Sequence, residues 1–144
     1  MGDYQQPTQA DLDNEKNVMP LLEEYFGCIV DRAIDPYATY DFNLLDNNYY
    51  LIGYAEYRRR RFRSDLYDTV MISAHKLLQD NELPTWFCVE WDDKIGVRRL
   101  DMSWADESVP FSRTVNHRPG DKLGEQVVWL DIEDFTFIKE KEHD

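Results

Sequence analysis

Leu12, Val18, Leu21, Leu22 and Tyr25 recur at roughly helical spacing, which predicts an amphipathic helix from about Asp11 to Phe26. Asp11 or Asp13 is placed to cap its start, and Gly27 to stop it. Pro20 falls inside this stretch. An interior proline removes a backbone donor, so a kink or a break into two shorter helices is expected there. Residues 28–33 mix apolar and charged side chains and read as a strand or as the end of the helix, and Asp35 with Pro36 reads as a turn.

Two strand-like runs follow, residues 38–45 and 49–57, joined by Asp46, Asn47 and Asn48. Asp and Asn tolerate the left-handed backbone of a tight turn, so the pair predicts a β-hairpin. From 66 to 81 the spacing of Val70, Ala74, Leu77 and Leu78 predicts a second helix, with Met71 near the edge of its apolar face and Asp65 or Asp68 as cap. Residues 86–91 predict a strand with Trp86, Cys88 and Glu90 on one face and Phe87, Val89 and Trp91 on the other. Asp92, Asp93 and Lys94 form its turn, and residues 95–100 the return strand. Beyond residue 100 the pattern predicts polar loops and one further strand, 126–132.

This order of elements predicts an α/β fold, a small central mixed β-sheet flanked by helices. Ile52 and Tyr54 are expected against one layer, Leu51 and Ala55 against the other. The chain reads as a single domain over residues 1–144. Residues 1–10 are a loose N-terminus, 11–100 the core, and 101–144 a C-terminal extension. No apolar run reaches the ~18 residues of a membrane span. The N-terminus lacks a basic start and an apolar stretch, so no signal peptide is expected. Gln at position 6 disfavours myristoylation of Gly2. Cys28 and Cys88 read as buried thiols, which suits a cytoplasmic protein.

Charge complicates this picture. The net charge is −13, a field that repels polyanions at long range. The positive charges are nevertheless concentrated, with Arg58, Arg59, Arg60, Arg61 and Arg63 close together. Screening over about 8 Å in physiological salt lets such a patch bind phosphate within an acidic protein.

The hairpin carries the candidate chemistry. Asp41 lies early on its first strand and Glu56 late on its second, so antiparallel pairing brings them to the same end. Glu56 and Arg58 are two apart and share a face. Two carboxylates that close repel unless a cation intervenes, and Mg²⁺ favours such oxygen ligands completed by water and phosphate.

Residues 41–46 (DFNLLD), a short turn, and 51–58 (LIGYAEYR) resemble the core of PD-(D/E)XK, or restriction-endonuclease-like, nucleases. There an Asp on one strand is followed by Glu-x-Lys on the next. Arg60, residues 67–72 (YDTVMI) and Lys76 extend the likeness to small phage-type members, and the resemblance spans residues 11–100. It implies Asp41 and Glu56 as metal ligands for Mg²⁺ or Mn²⁺, with Glu15 on the first helix as an added acidic ligand. Arg58 takes the place of the lysine that orients the attacking water. Arg59, Arg60, Arg61, Arg63 and Lys76 are the nucleic-acid-binding candidates, with DNA as the expected partner. Arginine clamps phosphate with a planar fork but does not exchange its proton, so position 58 departs from the pattern in its chemistry.

Three readings follow. The first is a metal-dependent DNA endonuclease or exonuclease. The second is a phage-encoded member of the fold that binds or assembles without catalysis, as an oligomer or with a protein partner; Arg58 and the net charge favour it. The third is an acidic DNA mimic, which the arginine strip opposes.

Overall fold

A computed structural model describes residues 8–35, 37–77, 82–100, 111–113 and 126–141. Most of the loose N-terminus, Leu78 with the far end of the helix expected over 66–81, and the loops after residue 100 lie outside the described residues.

The first helix, α1, spans Gln9–Phe26. Its cap is Thr8: the Thr8 hydroxyl accepts from the Asp11 N–H at 3.1 Å, and Asp11 Oδ2 accepts from the Thr8 N–H at 3.1 Å. Asp11 therefore serves as the returning half of a capping box, three residues inside the start where the sequence placed the cap itself. Gly27 ends the helix with φ +64°, a backbone state that costs glycine nothing. The helix runs through Pro20 unbroken. Pro20 is exposed while Val18 and Leu22 on either side are buried, so its missing donor lies on the solvent face.

The remaining elements are β1 (Ile29–Arg32), β2 (Phe42–Leu45), β3 (Leu51–Arg59), β4 (Thr69–Ser73), α2 (Ala74–Leu77), β5 (Thr85–Glu90), β6 (Lys94–Leu100), β7 (Phe111–Arg113), β8 (Gln126–Asp131) and β9 (Thr136–Glu140). A six-stranded sheet has the order β1-β2-β3-β5-β6-β9. All its pairings are antiparallel except β3 with β5. This mixed sheet is the predicted centre of the α/β fold.

Two cores lie on opposite faces of it. On one, Val18 and Leu22 of α1 pack with Phe42, Leu44, Ala55, Tyr57, Cys88 and Val97. On the other, Phe87, Val89 and Trp91 meet Val70, Ile72, Val128 and Leu130 of a second sheet, β4-β8-β7. The two faces read for 86–91 are those observed. One flank is thus a helix and the other chiefly a small sheet, with α2 beside it.

Three expectations differ from the structure. Residues 69–73 are a strand rather than the start of a helix, because Val70 and Ile72 alternate with partly exposed neighbours and pair with β8. β-branched residues at alternating burial suit a pleated surface, and the helix begins only at Ala74. Second, among the described residues three strands rather than one follow residue 100. Two of them close the sheets that the earlier residues open, β8 against β4 and β9 against β6. Third, Leu51 and Ile52 are exposed at the start of β3, and only Ala55 reaches the core as expected.

The hairpin turn is built by Asp46, whose Oδ1 accepts from the N–H groups of Asn48 at 2.8 Å and Tyr50 at 3.0 Å. The left-handed residue in it is Tyr49, φ +66°, and not one of the asparagines.

Candidate active site

The β2–β3 register carries Phe42 opposite Ala55 and Asn43 opposite Tyr54, so its continuation sets Asp41 opposite Glu56. Ala55 and Tyr57 face the α1 core, which turns Glu56 and Arg58 to the other side of the sheet. The ladder is extended past its last backbone pair by a side chain, since the Tyr57 N–H donates to Asp41 Oδ2 at 2.9 Å. Asp41, Glu56 and Arg58 are therefore brought together at the open end of the hairpin.

Glu56 is among the most buried side chains of the protein, at 1% exposure. Arg58 Nη2 lies 2.7 Å from Glu56 Oε2, and Arg58 Nη1 lies 3.5 Å from Asp41 Oδ2. Arg58 Nη1 also donates to the Tyr57 carbonyl at 2.8 Å. From α2, Lys76 Nζ comes within 3.3 Å of Glu56 Oε2. Despite these nearby charges, neither Glu56 oxygen accepts a well-aligned hydrogen bond. Burial pushes the Glu56 carboxyl up to about 8; Arg58 pulls it down, Asp41 pushes it up and Lys76 pulls it down. At this point of the fold the charged form is short of partners.

Glu15, on α1, is held by Arg32, with Nη2 to Oε2 at 3.3 Å. Burial raises its carboxyl, the charge of Asp41 adds to that, and Arg32 opposes it. Glu15 thus feels Asp41 but contacts Arg32. Among the described residues no three of Asp, Glu, His and Cys converge as a ligand cluster.

The arginine strip is largely committed to the fold. Arg59 Nη2 meets Asp92 Oδ1 at 2.6 Å and Arg59 Nη1 donates to the Glu90 carbonyl at 3.1 Å. Arg60 Nη2 donates to the Met71 carbonyl at 3.0 Å, joining β3's end to β4. Arg63 lies 3.3 Å from Asp65 and 3.8 Å from Asp93. Arg61 is exposed, and its charge reaches Asp11 at the start of α1. The run of arginines is not one face: its members turn to different partners.

Residues 3–138 match the family model described as "Phage putative PDDEXK endonuclease". The chain belongs to this family. No curated protein and no solved structure matches it significantly. The PDDEXK match runs well beyond residue 100, in keeping with the pairing of β8 and β9 into the two sheets. Among the described residues no helix is long and apolar enough to cross a membrane.

The donor set suits a hard divalent ion. Two carboxylates meet, one of them buried with both oxygens lacking an aligned donor, and oxygen ligands of that charge are what Mg²⁺ or Mn²⁺ takes. With two protein carboxylates in reach, water and substrate oxygens would complete its coordination.

Sequence reasoning found the hairpin acids from register alone. It missed the anchor that Lys76 finds beside them, in Thr39, Tyr40 and Glu56. The signal was the alternation of 69–73, which makes β4 a strand and so starts α2 late.

Proposed function

We propose that this PDDEXK protein is a divalent-metal-dependent DNA endonuclease, with Asp41 and Glu56 holding Mg²⁺ or Mn²⁺. The observation that carries this reading is the buried Glu56 carboxyl, facing Asp41 without an aligned donor to either oxygen. A bound divalent ion supplies Lewis acidity and neutralises charge on a reacting phosphodiester. Asp41 is held in place by the Tyr57 N–H, which leaves its second oxygen for the ion. Arg58 spans both acids and fixes their spacing. Glu15 would join through a water or after turning from Arg32. Arg61 is the member of the strip best placed to meet the DNA backbone, being exposed. Cys28 and Cys88 are both free thiols, in keeping with action in the host cytoplasm.

Incubating the full chain with plasmid, linear and single-stranded DNA plus Mg²⁺ or Mn²⁺ tests this, alongside calorimetric titration of the ion alone. Cleavage that is lost in Glu56→Ala, with ion binding lost in parallel, is expected. No cleavage and no ion binding by the unaltered chain would refute it.

One observation favours a second reading, a non-catalytic member of the family. Arg58 touches both carboxylates, so it offsets their charge without any ion. That reading predicts no measurable ion binding at Asp41 and Glu56.

A further inference from the structure

Lys76 is gripped at both ends. Its ammonium is 3.3 Å from Glu56 Oε2, and its side chain is only 12% exposed. It donates to the Thr39 carbonyl and lies 5.6 Å from the centre of the Tyr40 ring. The Tyr40 hydroxyl in turn donates to the Lys76 carbonyl at 2.8 Å. Tyr40 is itself buried, immediately precedes Asp41, and sits 5.4 Å from the ring of Tyr54 on β3. A lysine of a solvated helix surface has no need of such an anchor, because its head normally stays in water. Here the stem, the head and the backbone of one lysine are all tied to the segment that carries Asp41.

Arg58 is placed differently. Its fork is occupied by Glu56, Asp41 and the Tyr57 carbonyl, all within its own hairpin. A planar guanidinium matched to carboxylates is a rigid brace. An ammonium on a flexible stem is a compact charge with three donors that turns with little reorganisation.

We propose that Lys76, rather than the residue at position 58, is the cation that faces the reacting phosphate and its attacking water, while Arg58 positions the two carboxylates. This rests on the nuclease reading above. Without an ion, Lys76 and Arg58 are the two cations that lie against buried Glu56. Were Asp41 and Glu56 to hold a divalent ion, that ion would offset the Glu56 charge in place of Lys76. The Lys76 ammonium would then be available to the phosphodiester. Tyr40 and the Thr39 carbonyl keep it within reach.

The test uses the full chain and its Lys76→Ala, Lys76→Arg and Arg58→Lys variants, with three readouts. These are single-turnover plasmid cleavage with Mn²⁺, Mn²⁺ affinity without DNA, and the ¹³C resonance of reductively methylated Lys76, assigned by its absence in Lys76→Arg. Lys76→Ala is expected to cut the cleavage rate by about 100-fold or more, the usual cost of losing one aimed charge donor. Its Mn²⁺ affinity stays within about 3-fold and Lys76→Arg recovers little, whereas Arg58→Lys, at the brace between the two carboxylates, lowers Mn²⁺ affinity and cleavage rate together. The Lys76 resonance shifts on saturation with Mg²⁺. Cleavage by Lys76→Ala at the unaltered rate, or a Lys76 resonance indifferent to Mg²⁺, overturns the assignment and leaves the nuclease reading standing. So does a loss of Mn²⁺ affinity in Lys76→Ala that matches its loss of rate. Failure of the unaltered chain to cleave overturns both.

Discussion

The Tyr57 N–H donates to Asp41 Oδ2 at 2.9 Å, so a carboxylate oxygen takes the place of a strand carbonyl at the open end of the β2–β3 hairpin. This splits the duties of one side chain between fold and chemistry. The oxygen that accepts the backbone donor is structural; the charge is what the proposed ion would use. Asp41→Asn keeps an acceptor and is expected to unfold within about 0.5 kcal/mol of the unaltered chain, while Asp41→Ala costs about 1–2 kcal/mol through the orphaned N–H. Both should lose Mn²⁺ binding. Denaturant unfolding and calorimetry on the same samples separate the two effects.

Glu56 gives a pH dependence whose direction follows from its surroundings. Burial, with the charge of Asp41, raises the folded-state carboxyl from 4.5 to about 8, against the pull of Arg58 and Lys76. Between those two values the folded chain keeps a proton that the unfolded chain has released. The contribution to stability is therefore complete below pH 4.5 and is lost as pH rises through about 8. Glu56→Gln mimics the protonated form at every pH. Without divalent ion it is expected to melt about 3 °C or more above the unaltered chain at pH 8.5, and together with it near pH 4.5. Saturating Mg²⁺ should narrow or reverse the gap at pH 8.5, since only the carboxylate gains from the ion. Melting curves at the two pH values, with and without Mg²⁺, are the check.

Gly53 controls how β3 meets β5. A Cβ at this position would lie 2.7 Å from the Pro84 carbonyl oxygen, which is backbone and has little freedom to retreat. That same oxygen accepts the Tyr54 N–H at 2.9 Å, at the point where the parallel pairing of β3 and β5 begins. Gly53→Ala must push the two strands apart three residues before Glu56. A cost of about 1–3 kcal/mol is expected, as for other forced overpacking. Cleavage should fall by more than the lost stability explains, because the displaced strand is the one that sets Glu56 against Asp41. Unfolding and activity measured at a temperature where the variant is fully folded separate these effects.

The hairpin and its acids were legible because they depend on local rules. Alternation set the faces of β3 and β5, the turn residues set the hairpin, and register set Asp41 against Glu56. What was not legible depended on partners distant in sequence. The alternation of 69–73 suits a strand, but nothing in it names Leu130 and Val128 as the partners of Val70 and Ile72, and the helical spacing of Ala74 and Leu77 extends back over it. The arginines of 58–63 are adjacent in sequence but do not share one surface. In the fold, Arg59 and Arg63 turn to acids of the β5–β6 turn and Arg60 to a carbonyl of β4.

That β5–β6 turn holds the loop after β3 through a buried carboxylate. Asp93 Oδ1 accepts the Ser64 N–H at 2.7 Å and Asp93 Oδ2 accepts the Ser64 hydroxyl at 2.8 Å, with both residues buried. Burial alone would raise the Asp93 carboxyl, but the two Ser64 donors, helped by Arg63, outweigh it and hold the group below 3.8. A lowered folded-state value means stability that is complete above 3.8 and lost only as pH falls through the folded value. Asp93→Ala leaves a buried N–H and hydroxyl unmatched, and is expected to cost about 2–3 kcal/mol at pH 7. Asp93→Asn should cost less, since it keeps one acceptor. The penalty of the alanine variant, measured by denaturant unfolding, should shrink as pH falls through the lowered folded-state value and the unaltered side chain takes up its proton. A penalty unchanged by acid would mean that the loop bearing Arg61 and Arg63 is held by packing rather than by this carboxylate.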